Sequence, residues 1–110
     1  MSKYNNKKTT VFGITFDSKR EAERYLILRT LEKQRAIKDL RLQVKYELIP
    51  EQRDEKNKIV ERACTYVADF VYVDDQGIEV VEDAKGVRTK EYRIKKKLML
   101  WVHKIKIKEW

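Results

Sequence analysis

The 110-residue sequence holds one cysteine, Cys64, one histidine, His103, one proline, Pro50, and three glycines. A single cysteine rules out a disulfide framework within the chain. With a single histidine beside it, a zinc site of Cys and His ligands has too few donors. Cys64 lies in an apolar run, where a small core residue is the expected role and a nucleophile the alternative. No apolar run approaches the roughly 18 residues of a membrane span, so no membrane partner is expected. The first ten residues are polar and lack the apolar centre of a secretion signal, which gives a flexible basic arm over residues 1–10 and a cytoplasmic location as expectations.

Acids are fewer than bases: 18 Asp/Glu stand against 26 Lys/Arg, for a net charge of +8 and a pI near 9.6. The excess is local. From Lys85 to Lys108 there are ten Lys/Arg and one acid, Glu91. Such a segment favours a polyanionic partner, most simply nucleic acid, over an evenly solvated surface. Apolar residues make up 42%, enough to fold, and the length suits one domain over residues 11–110.

Val11 to Phe16 reads as a short strand weakened by Gly13. Ser18-x-x-Glu21 then matches a capping box and opens a helix to about Gln34. Glu21, Tyr25, Leu28 and Glu32 share one stripe, so Glu21 points toward the body of the protein. Ile37 to Pro50 alternates as a strand, with Leu40, Leu42, Val44, Tyr46 and Leu48 on one face and Arg41, Gln43, Lys45 and Glu47 on the other. Glu51 to Asn57 is a loop or hairpin tip. Glu61 to Asp74 is the next strand, and its core, Tyr66 to Val73, is apolar on both faces, as a central strand must be. Ile78 to Lys85 is the next strand. Thr89 caps a helix to His103, on which Ile94, Leu98 and Trp101 form the apolar stripe. Lys104 to Lys108 alternates as a last strand. The expected class is α+β, a mostly antiparallel sheet flanked by two helices in the order β-α-β-β-β-α-β.

Asp69 interrupts an apolar strand, and an unpaired buried carboxylate costs several kcal/mol. It needs an arginine, a proton or a cation. The turn Asp74-Asp75-Gln76-Gly77 supplies a register. With a three-residue loop that places Gly77 in the left-handed conformation, Asp74 faces Ile78 and Asp69 faces Asp83. A four-residue loop would instead set Glu82 opposite Asp69. Two carboxylates side by side destabilise unless a cation lies between them. Oxygen donors of this kind suit Mg²⁺ or Mn²⁺. Alternation puts Lys85 on the face of Asp83, either as a plain ion pair or as a group acting on water or phosphate. Glu21 has a capping role that is compatible with a metal-binding one.

Ser18-Lys19-Arg20-Glu21-Ala22, Tyr66-Val67-Ala68-Asp69-Phe70 and Glu82-Asp83-Ala84-Lys85-Gly86 together resemble the three motifs of the PD-(D/E)xK nuclease superfamily. The nearest likeness is to small phage-encoded endonuclease-like and Holliday-junction-resolvase-like proteins. The likeness runs from about Ser18 to Lys97. It lacks a proline before Asp69, and the acid of the last triplet is Asp, so Glu82 is a second candidate ligand. The resemblance implies a restriction-endonuclease-like core and Mg²⁺- or Mn²⁺-dependent hydrolysis of DNA in branched or recombination intermediates, in a phage or bacterial host cell. It assigns catalysis to Glu21, Asp69, Asp83 and Lys85. It assigns the metal to Asp69, Asp83 and the carbonyl of Ala84, with Glu21 direct or through water. Gln43 lies where some relatives place a glutamine near the site. Arg88, Lys90, Arg93, Lys96 and Lys97, with Lys95 beside them, are the expected phosphate contacts. Junction resolvases of the superfamily act as dimers, which makes a homodimer an expected arrangement for junction cutting. The alternatives are a non-catalytic nucleic-acid-binding module with the same fold, or an interaction protein of a phage replication complex.

Overall fold

The computed structural model describes residues 8–84 and 88–110. Among these, the elements are β1 (Thr9–Val11), β2 (Ile14–Phe16), α1 (Lys19–Lys33), β3 (Lys38–Ile49), β4 (Gln52–Arg53), β5 (Ile59–Glu61), β6 (Cys64–Val73), β7 (Glu79–Asp83), α2 (Lys90–His103) and β8 (Lys108–Glu109). The fold is α+β, with two helices and a mixed, mostly antiparallel sheet in the order β3-β6-β7-β8. Among the described residues no helix is long and apolar enough to cross a membrane.

Ser18 caps α1 as its sequence predicts, its Oγ accepting from the Glu21 N–H at 3.1 Å. Thr89 caps α2 in the same way, accepting from Tyr92 N–H at 3.1 Å. Strand β6 is central, between antiparallel β3 and β7. Its register with β7 follows from the turn. Asp74 N–H donates to Ile78 O at 2.9 Å, Gly77 has φ +78°, and Asp74 Oδ1 accepts from the N–H groups of Gln76 and Ile78. The pairs that result run from Val73↔Glu79 to Phe70↔Glu82, which is the three-residue-loop register. A second turn uses the same device: Asp54 Oδ1 accepts from Lys56 and Lys58 N–H, with Asn57 at φ +63° in the glycine position.

Three expectations change. The first strand is a hairpin, β1–β2, because Phe12 and Gly13 both have positive φ, +50° and +77°, as a two-residue primed turn requires. Thr9 and Thr10, assigned to the arm, belong to it; residues 1–7 lie outside the described residues. The last strand is shorter and later, Lys108–Glu109, and pairs in parallel with β7. The apolar stripe of α2 is also misread. The helix buries Tyr92 and Met99, while Ile94 and Trp101 are exposed.

The core has two halves, one under each helix. Phe16, Ala22, Tyr25, Leu28, Phe70 and Tyr72 gather on the α1 side. Tyr66, Ala68, Val71, Val81, Tyr92 and Met99 gather on the α2 side. Strand β3 serves both. Leu40 and Leu42 pack on the α1 side, but Val44 and Tyr46 pack on the α2 side. Residues two apart in a strand ordinarily share a face. Gln43 has φ +52°, a left-handed conformation uncommon outside glycine, and it turns the strand over. Strand β6 makes the same change between Ala68 and Phe70, which pair with Val44 and Leu42. Gln43 and Asp69 thus sit at the changeover between the two halves of the core.

Candidate active site

Glu21 reaches the changeover from the first turn of α1, on the helix face that also buries Arg24, Tyr25 and Leu28. It is only 5% exposed, Asp69 only 3% and Asp83 fully buried. Gln43 Nε2 donates to Glu21 Oε1 at 3.0 Å and lies 3.5 Å from Asp69 Oδ1. One amide therefore spans the helix carboxylate and the strand carboxylate. The other oxygen of Asp69 accepts from the backbone N–H of Ala84 at 2.8 Å, across to the end of β7. Continuing the β6–β7 register one step past Phe70↔Glu82 sets Asp69 beside Asp83. Asp83 Oδ2 accepts from the Tyr66 hydroxyl at 2.9 Å. Burial, with the charge and hydrogen bond of Asp83, raises the Tyr66 pKa far above the ordinary phenol value, so the hydroxyl stays a donor.

Glu82 has a different fate from its neighbour. It faces α1, fully buried, and its two oxygens accept from the Nε and Nη2 of Arg24, the latter at 3.1 Å. Tyr72 OH adds a bond of 2.6 Å to Oε2. Burial opposes the charged guanidinium, but the hydrogen bond and charge of Glu82 outweigh it and raise the Arg24 pKa. Arg24 lies one helical step from Glu21, and Glu82 lies next to Asp83. The pair therefore fixes the distance between the helix that carries Glu21 and the strand that carries Asp83. Of the two acids of the triplet, Glu82 is the one engaged in this interior pair. Sequence reasoning named Arg24 in no role, although Glu21 and Arg24 at i and i+3 share a helix face.

Lys85 lies outside the described residues, so its expected place beside Asp83 has no description here. The acidic side chains near the changeover, Glu21, Asp69 and Asp83, offer oxygen only, the donor type that a hard divalent cation prefers. Among the described residues no group of three or more His, Cys, Asp or Glu side chains stands so as to hold a metal ion. Asp69 and Asp83 are turned to the Ala84 N–H and the Tyr66 hydroxyl.

The expected phosphate contacts divide. Arg88 and Lys96 are ion-paired to Glu109 at 2.9 and 3.0 Å, and Lys95 to Glu91 at 3.1 Å. Lys90, Arg93 and Lys97 are exposed, with no ion pair among the described residues.

A family model described as a protein of unknown function, DUF1064, matches residues 1–109. The chain belongs to the DUF1064 family. No curated protein and no solved structure matches it. In this DUF1064 chain the model spans every residue of the cluster, from Glu21 through Gln43 and Asp69 to Asp83.

Strand β8 closes the site from the other edge. Trp110 N–H donates to Asp83 O at 2.9 Å, and the guanidinium groups of Arg20 and Arg24 lie over its indole at 4.7 and 5.2 Å. Glu109 accepts from Tyr92 OH, Lys96 and Arg88. The hydrogen bonds from Lys96 and Tyr92, with the charge of Arg88, hold its carboxyl below the ordinary range, against a smaller opposing effect of burial.

Two outcomes follow from these pairs. Arg24→Met leaves Glu82 buried without its cation and should lower the unfolding free energy by about 3–5 kcal/mol in urea titration, whereas Arg24→Met combined with Glu82→Met should recover most of the loss. Glu109 has a depressed folded pKa, so its stabilisation is present above the ordinary value of 4.5 and is lost as pH falls through the folded value. The Tm difference between wild type and Glu109→Gln should be largest near neutral pH and should shrink below pH 4.5.

Proposed function

We propose that the protein is a metal-dependent endonuclease of the PD-(D/E)xK kind, hydrolysing DNA phosphodiester bonds in branched or recombination intermediates on a restriction-endonuclease-like core. The observations that carry this reading are the Gln43 amide that links buried Glu21 of α1 to buried Asp69 of β6, and the bond from Ala84 N–H to Asp69 that ties β6 to the end of β7, next to buried Asp83. Acids gathered and buried in this way are costly to desolvate, which marks the place as a candidate for function. The motif resemblance and the basic exposed face of α2 support the same reading.

Asp69, Asp83 and the Ala84 carbonyl, with Glu21 directly or through water, would hold Mg²⁺ or Mn²⁺. Such an ion supplies Lewis acidity toward the phosphate and lowers the pKa of water. The chain's own residues do the positioning. Gln43 fixes Glu21 and Asp69 relative to each other. Tyr66 fixes one oxygen of Asp83, and the Arg24–Glu82 pair holds α1 to β7. Lys85 is assigned to orienting the attacking water or countering charge on the phosphate. Lys90, Arg93 and Lys97 would set the DNA backbone in place without reading sequence.

A second reading, a binding module without catalysis, draws on the hydrogen bonds that already occupy Asp69 and Asp83. Cleavage assays separate the two. With Mg²⁺ or Mn²⁺ the wild type should cut at least one member of a panel of duplex, flap, splayed-arm and four-way DNA, and chelation should stop it. Asp83→Ala should lower the rate by at least about 100-fold, the scale on which losing a catalytic contact is felt, while binding in EDTA stays within about twofold. No metal-dependent cut on any substrate would leave the binding module as the better account.

A further inference from the structure

The outward face of α2 carries a pattern that phosphate binding alone does not account for. Lys90, Ile94, Lys97 and Trp101 recur at i, i+4, i+7 and i+11, which is one continuous stripe on a helix. Every member is exposed, Ile94 at 59% and Trp101 at 75%. Cation and apolar side chain alternate along it, with Lys90 and Lys97 about 10.5 Å apart on the axis. Lys104 caps the helix in the left-handed conformation, with Nζ 2.9 Å from Trp101 O and 4.9 Å from the centre of its ring. The helix does not need these side chains to hold the sheet. Tyr92, Leu98 and Met99 do that from the other side. Glu91, the one acid of the helix, is engaged with Lys95.

We infer that this stripe is a platform for single-stranded DNA, with the free face of Trp101 stacking on an unpaired base and Lys90 and Lys97 following the phosphates. Charge decides against a second copy of the chain, since two such stripes would set lysine against lysine. Charge likewise favours a polyanion over an apolar peptide. The exposed indole decides between forms of nucleic acid. In a duplex the bases are stacked on each other and present only edges and phosphates to a helix. In a single strand every base offers a face to an aromatic ring, and alternating cations and aromatics are the usual means of binding one. This deepens the nuclease reading by naming an unpaired segment as the part of the substrate that is recognised, but the binding itself needs no cleavage.

The test measures fluorescence anisotropy of labelled oligo-dT, of an abasic backbone of the same length and of a matched duplex, all in EDTA. Trp101→Ala should weaken binding of oligo-dT by roughly five- to a hundredfold. Its binding of the duplex and the abasic strand should stay within about twofold, and Trp101→Phe should keep most of the affinity. In a Trp110→Phe background, oligo-dT should quench the remaining tryptophan emission and the abasic strand should not. Equal loss on all three ligands, or no loss on oligo-dT, would overturn the inference. So would a concentration-dependent dimer that Trp101→Ala converts to monomer, because the stripe would then be an interface between copies. Absence of cleavage would count against the nuclease reading and leave this result standing. Cleavage with Trp101→Ala unaltered on oligo-dT would do the reverse.

Discussion

The ion pair between Arg24 and Glu82 is the constraint on which the rest of the structure depends. It crosses the interface between α1 and β7 in a fully buried setting, closed by the Tyr72 hydroxyl. A buried pair of this kind adds little net stability over apolar packing, because desolvating both ions offsets their attraction. What it adds is position. One turn of helix away stands Glu21, and one residue along the strand stands Asp83. The same guanidinium lies over the Trp110 indole, so the β8 edge is seated by the same group. Loss of either partner would let α1 and β7 shift against each other, and the carboxylates would part.

The second constraint is the changeover at Gln43. A sheet between two helices normally offers one face to each along its whole length. Here β3 and β6 give Leu42 and Phe70 to the α1 side, then Val44 and Ala68 to the α2 side. The left-handed backbone at Gln43 costs of order 1–2 kcal/mol in a non-glycine residue. Its amide is what links Glu21 and Asp69. A local conformation that is unfavourable, held where Gln43 links Glu21 to Asp69, is in keeping with the proposed site.

Much of this was legible in the residues. The caps Ser18 and Thr89, the central strand through Asp69 and the Asp74–Ile78 turn all rest on local chemistry, and the turn alone carries the Asp69–Asp83 register. Less local features were not. Phe12 occupies a turn position that glycine or asparagine usually fills, so the first hairpin reads as one strand. The overturn at Gln43 leaves the alternation of β3 intact, because a reversal of facing does not alter which residues are apolar. The Arg24–Glu82 pair is invisible for the same kind of reason, since a charge on an amphipathic helix ordinarily means solvent. Helix α2 misleads in the other direction. Of its expected apolar stripe, Ile94 and Trp101 are exposed and only Leu98 packs on the core.

The central claim is that Glu21, Asp69 and Asp83 form one divalent-cation site. Electron paramagnetic resonance of Mn²⁺ titrated into the protein tests it without any substrate. The claim predicts that wild type removes free Mn²⁺ signal with saturation, that Mg²⁺ competes, and that Asp69→Asn or Asp83→Asn weakens binding by at least about tenfold, as loss of a charged ligand should. Unchanged Mn²⁺ binding in both variants, or none in the wild type, would contradict it.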